Sequence, residues 1–260
     1  MKKIIIQGIQ WDAKSSFQKG PAKAPDLIRK ALYSHSMNLY AENGVSIEHE
    51  SVTDQGDFII KDYFDITTVT KQHVGTDTKV FSLGGDHSVT FPIISAFHDY
   101  YPKLDILHID AHADLYHEYE GDPYSHACPF ARIMENGFAV KLVQVGIRTL
   151  NPHQAKQAKK YKVEIHEMRN LNLDTIPEFE NPLYISLDMD GFDPAFAPGV
   201  SHQEPGGLSS RQVINLIQSI NTEVVGADIV EYNPDRDFQD MTAYLAAKMM
   251  KELLGKMMER

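Results

Sequence analysis

The sequence predicts an α/β fold: a doubly wound, mainly parallel sheet with helices on both faces, in three layers. Three observations predict it. Short β-branched runs recur along the chain with helical stretches between them. Several of these runs are apolar at every position, as strands buried on both faces are. The informative acids and histidines fall just after the runs, where open parallel sheets bind their ligands.

The elements follow in order. A first strand is read at Lys3 to Ile9, and Pro21 and Pro25 introduce a helix over Ala24 to Ser34. Strands are read next at Val45 to Glu48 and at Lys79 to Leu83, before the turn Gly84-Gly85. Ser88 is a fitting N-cap for a helix over Val89 to Tyr100. Leu104 to Asp110 reads as a strand, and His126 to Asn136 as a helix that stops at Gly137. The strand Lys141 to Gly146, the helix Pro152 to Tyr161 and a weaker strand at Val163 to His166 come next. The strand Leu183 to Asp188, the helix Ser209 to Ile220, the strand Val224 to Val230 and the helix Asp240 to Met258 complete the series.

No linker, low-complexity block or repeat interrupts this alternation, so residues 1–260 are read as one domain. With 42% hydrophobic and 23% charged residues, the composition is that of an ordinary globular protein. After the basic Met1-Lys2-Lys3 only Ile4 to Ile6 form an apolar run, too short for a signal peptide. No apolar run approaches the roughly 20 residues that span a bilayer. The single cysteine, Cys128, excludes an internal disulfide framework, and together these features predict a cytoplasmic enzyme with no membrane partner. A net charge of −11 argues against a nucleic-acid partner and favours a cationic ligand.

The chemistry is concentrated in Ile109-Asp110-Ala111-His112-Ala113-Asp114 and Ser186-Leu187-Asp188-Met189-Asp190. Both place ionisable residues at every second position, a spacing that points them to one face of an extended strand. Carboxylates gathered at the end of a buried strand are costly unless something cationic sits among them. His87 joins Asp110, His112, Asp114, Asp188 and Asp190 to give four carboxylates, two imidazoles and no thiolate. That donor set suits two divalent ions, Mn²⁺ first, with Zn²⁺, Fe²⁺ or Co²⁺ as alternatives. Four carboxylates balance two such ions, and two metals sharing a water lower its pKa towards about 7, so hydrolysis of a cationic substrate is the natural reaction.

With their flanks, these tracts resemble the three signatures of the ureohydrolases: the arginases, agmatinases and their relatives. They are Gly84-Gly85-Asp86-His87-Ser88, the Asp110 to Asp114 tract, and Ser186 through Pro194. The likeness continues through Ala195 to Ser209, Tyr124 to Met134 and Val225 to Pro234, and in wording is nearest to plant-type arginases. It runs from about Val80 to the C-terminus. The resemblance implies an arginase-like fold, with His87, Asp110, Asp114 and Asp188 on one manganese. Asp110, His112, Asp188 and Asp190 would hold the other, so that Asp110 and Asp188 bridge. It further implies attack on a guanidinium carbon to release urea and an amine. In that pattern Asp114 orients the nucleophile, Glu231 binds the guanidinium and His126 relays a proton to the leaving amine. The family's trimers and hexamers imply a homo-trimer or homo-hexamer.

The leading expectation is hydrolysis of L-arginine to L-ornithine and urea; the alternative is agmatine or another guanidino acid. Where animal arginases hold the amino-acid head, this chain has Tyr116 and Asn151, so the acidic segment Tyr116 to Ser125 is expected to shape the pocket. Tyr116, His117, Ser125, Asn151 and Glu231 are the candidate substrate contacts. The extra ligands His87 and Asp190 argue against a zinc deacetylase of the same fold, since a single tetrahedral zinc needs fewer acids, and a non-catalytic binder is disfavoured because every ligand position is intact. His108, inside an apolar strand, is read as structural, Asp193 as a turn residue and Cys128 as a packed thiol. His117 and His202 are the remaining histidines that could reach the site. The apolar stripe Met249, Met250, Leu253, Leu254, Met257 and Met258 is read as core or subunit contact.

Overall fold

The computed structural model describes residues 2–259. Its strands are β1 (Lys3–Gln10), β2 (Val52–Ile59), β3 (Thr78–Leu83), β4 (Asp105–Ile109), β5 (Lys141–Ile147), β6 (Glu164–Glu167), β7 (Leu183–Asp188) and β8 (Val224–Val230). They form one sheet in the order β2-β1-β3-β8-β7-β4-β5-β6, and every pairing is parallel. The helices are α1 (Ala24–Leu32), α2 (Asp65–Lys71), α3 (Thr90–His98), α4 (Pro129–Glu135), α5 (Pro152–Tyr161), α6 (Ser210–Ser219) and α7 (Met241–Met258).

Residues of α1, α6 and α7 pack into the hydrophobic core on one face of the sheet, and those of α2, α3, α4 and α5 into the core on the other. The central strands β4, β7 and β8 are therefore buried at every residue, which explains why apolar residues predominate on both of their faces. The methionine and leucine stripe of α7 is buried in the first of these cores, so it is packing within the chain. No helix among the described residues is long and apolar enough to cross a membrane.

Strand order fixes the position of the site. The chain passes from β3 to β4 on the far side of a gap that β7 and β8 later fill, so β3, β8, β7 and β4 become neighbours at a topological switch point. Their carboxyl ends carry the Gly84 to Ser88 turn, Glu231, Asp188 and the Asp110 to Asp114 loop. Gly85 lets β1 close on this edge, because a Cβ there would lie 1.6 Å from the Trp11 carbonyl oxygen.

Several expectations are corrected. The second strand is Val52–Ile59, not Val45 to Glu48; Ser46 forms only an isolated bridge with Tyr40, while Ile47 anchors the loop in the core. Helix α2 was not expected. Helix α4 starts at Pro129, since Ser125 to Cys128 form a turn closed by the Cys128 N–H on the Ser125 carbonyl. Strand β4 ends at Ile109, so the Asp110 tract is a loop and not an extended strand.

Candidate metal centre and substrate cavity

Three strand ends turn by the same local device. Asp86 Oδ1 accepts the Ser88 N–H at 3.1 Å, Asp110 Oδ1 the His112 N–H at 2.6 Å, and Asp188 Oδ1 the Asp190 N–H at 2.7 Å. Each aspartate thus folds the backbone two residues ahead onto its own side chain, an Asx-type turn. In the second and third loops that turn sets the ligand spacing that strand alternation had suggested.

The expected ligands converge in two overlapping sets. His87 Nδ1 lies 3.2 Å from Asp110 Oδ2, 3.2 Å from Asp114 Oδ2 and 3.0 Å from Asp188 Oδ2. His112 Nδ1 lies 3.1 Å from Asp190 Oδ2 and 3.4 Å from Asp110 Oδ1. The two oxygens of Asp110 therefore face different sets, as a bridging carboxylate's would. Octahedral bonds of about 2.1 Å place neighbouring ligand atoms about 3 Å apart, so these separations fit metal coordination.

The orientation of His87 provides a further test of fit. Its Nε2 lies 3.0 Å from Ser186 Oγ, and that hydroxyl donates to Asp228 Oδ1 at 2.7 Å. The Ser186 oxygen can then only accept from His87, which puts the ring proton on Nε2 and turns the Nδ1 lone pair towards three carboxylates. Nδ1 is buried and has no hydrogen-bond partner among the described residues. That arrangement fits a cation.

The electrostatics agree. Burial opposes charging His87, yet the carboxylates of Asp110, Asp114 and Asp188 gathered around Nδ1 hold it well above the ordinary imidazole value. Burial likewise opposes charging His112, and Asp190 and Asp110 raise it strongly. Burial pushes Asp188 well up, reinforced by Asp190 and Asp110, and lifts Asp190 to about 6. Asp110 stays well below the carboxylate range because the three histidines around it outweigh burial. These shifts mark a cluster of negative charge that a bound cation would relieve. His108 also lies close enough to be counted with His87 and Asp110, but both its ring nitrogens are engaged, one by Asp110 and one by Gln144.

Beside the ligands is a cavity of about 200 Å³, lined by His112, Asp114, Asp188 and Asp190 at its floor and by Glu231 and His126 on one wall. Glu231 Oε1 accepts the His87 backbone N–H at 2.9 Å and lies 2.9 Å from His126 Nδ1. His126 Nε2 meets Ser16 Oγ at 2.8 Å. Burial lowers the His126 pKa, but the hydrogen bond and charge of Glu231 raise it to about 9. Glu231 is held below the ordinary carboxylate value, His126 outweighing burial. Asp114 and Glu231 have left-handed backbones, φ 49° and 61°, an uncommon conformation for such residues and one that gathers at functional sites.

The sequence profile of the Arginase family matches residues 2–255. The chain belongs to the arginase family. The Medicago truncatula protein "Arginase, mitochondrial" is 44% identical over 275 residues, covering 97% of this chain and 81% of that protein. The solved structure "Arginase from Medicago truncatula" matches with a TM-score of 0.92 at 41% identity, covering 98% of this chain and 87% of the other. N(1)-aminopropylagmatine ureohydrolase of Thermus thermophilus is 35% identical over 257 residues, covering 93% and 86%. The arginase family consists of metal-dependent hydrolases, and this chain is one of them.

Within this arginase-family fold, all six expected ligands meet at one edge of the sheet, and Asp114, His126 and Glu231 surround one cavity. The expected substrate contacts divide. Tyr116 lines the cavity; His117, Ser125 and Asn151 are not among its described lining residues. His117 Nδ1 instead takes Arg132 Nη2 at 3.0 Å. Asn151 caps α5 through the Gln154 N–H and donates to the Tyr116 hydroxyl, so it acts on the cavity through Tyr116. Ser16, Tyr119, Ala127, Thr149, Gln154 and His202 complete the lining. Of these only His202 and Tyr119 carried any signal, as a histidine beside a signature and an aromatic in the pocket segment.

Proposed function

We propose that the enzyme, acting as one domain over residues 1–260, hydrolyses L-arginine to L-ornithine and urea with two Mn²⁺ ions. The carrying observation is that the Glu231 carboxylate, steadied by His126 and the His87 N–H, lines the same small cavity as Asp114, Asp188 and Asp190. A planar guanidinium takes a carboxylate through parallel N–H bonds, which would aim its carbon at those aspartates. The plant relatives named as arginases support arginine as substrate.

His87, Asp110, Asp114 and Asp188 would hold one ion and Asp110, His112, Asp188 and Asp190 the other. Bound there, the pair supplies the Lewis acidity that makes water nucleophilic near neutral pH. The chain's own residues do the rest. Glu231 fixes the guanidinium by charge and direction, and Asp114 accepts a hydrogen bond that orients the attacking water. His126, protonated at neutral pH by virtue of Glu231, gives its proton to the departing amine nitrogen. Ser16, exposed at the cavity mouth, links that imidazole to solvent.

One observation favours a second reading. No lysine or arginine is among the described residues lining the cavity, and the neutral Tyr116, Tyr119, Thr149 and Gln154 are among those that line it. That suits agmatine or an extended amine such as the substrate named for the Thermus relative. Urea release by manganese-loaded enzyme from arginine, agmatine and 4-guanidinobutyrate decides between them. Arginine should lead; urea from agmatine alone would reverse the order, and urea from none would overturn the reading. Metal analysis giving a single Zn²⁺ would point to a deacetylase instead. Cytoplasmic location and a homo-trimer or homo-hexamer belong to the same proposal, to be checked by cell fractionation and sedimentation, since the plant relatives are named mitochondrial.

A further inference from the structure

We propose that His108, locked by Gln144, is a positioning residue that fixes the carboxylate plane of Asp110 for two metal ions; this rests on the dinuclear reading above. Gln144 Nε2 lies 2.6 Å from the Ala113 carbonyl oxygen and 2.9 Å from His108 Nδ1. A carbonyl oxygen only accepts, so the amide atom facing it is the nitrogen, and the orientation of Gln144 is determined. Its second N–H then points at His108 Nδ1, which must accept and carries no proton. The ring proton therefore sits on Nε2, 2.7 Å from Asp110 Oδ2, and is donated there.

Gln144, His108, Ala113 and Asp110 are all fully buried, so water does not compete for these bonds. The His108 ring is stacked on Phe130 with centroids 3.8 Å apart and planes 26° off parallel, which holds its direction. The result at Asp110 is symmetrical. Oδ2 takes the His108 N–H and faces His87 Nδ1, while Oδ1 takes the His112 backbone N–H and faces His112 Nδ1. Each oxygen is pinned by one protein donor and keeps a second lone pair for an ion. Because the imidazole is a neutral donor, it orients Asp110 without cancelling the negative charge that an ion needs. Gln144 also holds the carbonyl between His112 and Asp114, so one side chain of β5 sets both ends of the ligand loop.

The test is calorimetric titration of Mn²⁺ into metal-free protein, with the metal-free Tm recorded for each variant. H108F keeps the stacked ring and removes the donor; H108Q returns an amide N–H close to where Nε2–H stood; Q144L frees the imidazole to change tautomer. The unmodified protein should bind two Mn²⁺, H108F and Q144L should bind them about 10- to 100-fold more weakly, and H108Q should recover most of the loss. If H108F does not fold, the comparison of Q144L with H108Q carries the same test. Unchanged affinity in the donor-deleting variants that fold, or failure of H108Q to exceed Q144L, overturns the inference while leaving the metal reading intact. Failure of the unmodified protein to bind two ions overturns the metal reading, and this inference with it.

Discussion

Replacing Glu231 with glutamine keeps the shape of the cavity wall and removes its charge. The structure sets the size of the effect. Glu231 carries His126 from the ordinary 6.5 to about 9 against the opposing pull of burial. At 1.36 kcal/mol per pH unit that is about 3 kcal/mol of net stabilisation of the charged imidazole, in which Glu231 is the largest favourable partner and Asp114 and Asp86 add to it. In E231Q burial remains and the main partner is gone, leaving only the charges of Asp114 and Asp86 to favour the imidazolium, so His126 should titrate well below 9, read from its ring resonances in metal-free protein. The substrate loses the same charge. Truncating a buried charged partner costs about 2–5 kcal/mol, so kcat/KM for urea release should fall by about 30- to 5000-fold. The stability effect has a definite sign. A histidine raised in the folded state stabilises fully below its unfolded value and loses that contribution as pH rises through about 9. The Tm gap between unmodified protein and E231Q should therefore be widest near pH 6 and close above pH 9. An E231Q enzyme within threefold of the unmodified kcat/KM, or one whose His126 still titrates near 9, would refute the pairing and its role.

Ser186→Ala deprives the His87 Nε2–H of its acceptor and Asp228 of a donor; manganese affinity should drop about 10- to 100-fold by calorimetry, and denaturant melts of the metal-free protein should show a loss of about 1–3 kcal/mol. Manganese at 100 times its Kd adds about 2.7 kcal/mol of stability, which for a chain of this size raises Tm by about 5–10 °C by scanning calorimetry, and a chelator should reverse it. Because His87 and His112 are held above the ordinary imidazole value, manganese must displace protons from the cluster. Proton release on metal addition near neutral pH, followed in weakly buffered solution, checks this. Gly85→Ala drives a methyl into the Trp11 carbonyl and should cost about 1–3 kcal/mol in a denaturant melt.

The parts of the site that the sequence showed plainly are those where one short tract carries several ligands. Asp110, His112 and Asp114 share a loop, and Asp188 and Asp190 share another, so spacing reports on geometry even though the cause is a turn at each aspartate and not a continued strand. The fold was legible for the same kind of reason: β4, β7 and β8 are buried on both faces and contain little else than apolar residues. Strand β2 was missed because it lies at the sheet's edge, where Thr53, Asp54 and Gln55 are exposed and no apolar run is required. Helix α2 buries only Ile66 and Thr70, too few positions to show a period. Ser16 could not be read at all. It reaches His126 because the Lys14 N–H and the Ser15 hydroxyl are tied to Asp86, a contact between segments about 70 residues apart that leaves no local pattern.

The strand order has a consequence for how the protein is assembled. Val80 pairs with Gly226 and Leu183 with Val224, so the two innermost strands that carry Glu231 and Asp188 join a sheet whose other ligand-bearing strands were made far earlier in the chain. Pairings of such long sequence separation close slowly, after their loop entropy has been overcome. The candidate ligands are thus unavailable as a set until the middle of the sheet is in place, so on the proposed reading manganese would arrive as a lock on a finished door. It should leave the refolding rate unchanged and slow unfolding, with the metal acting on persistence and not on the search for the fold.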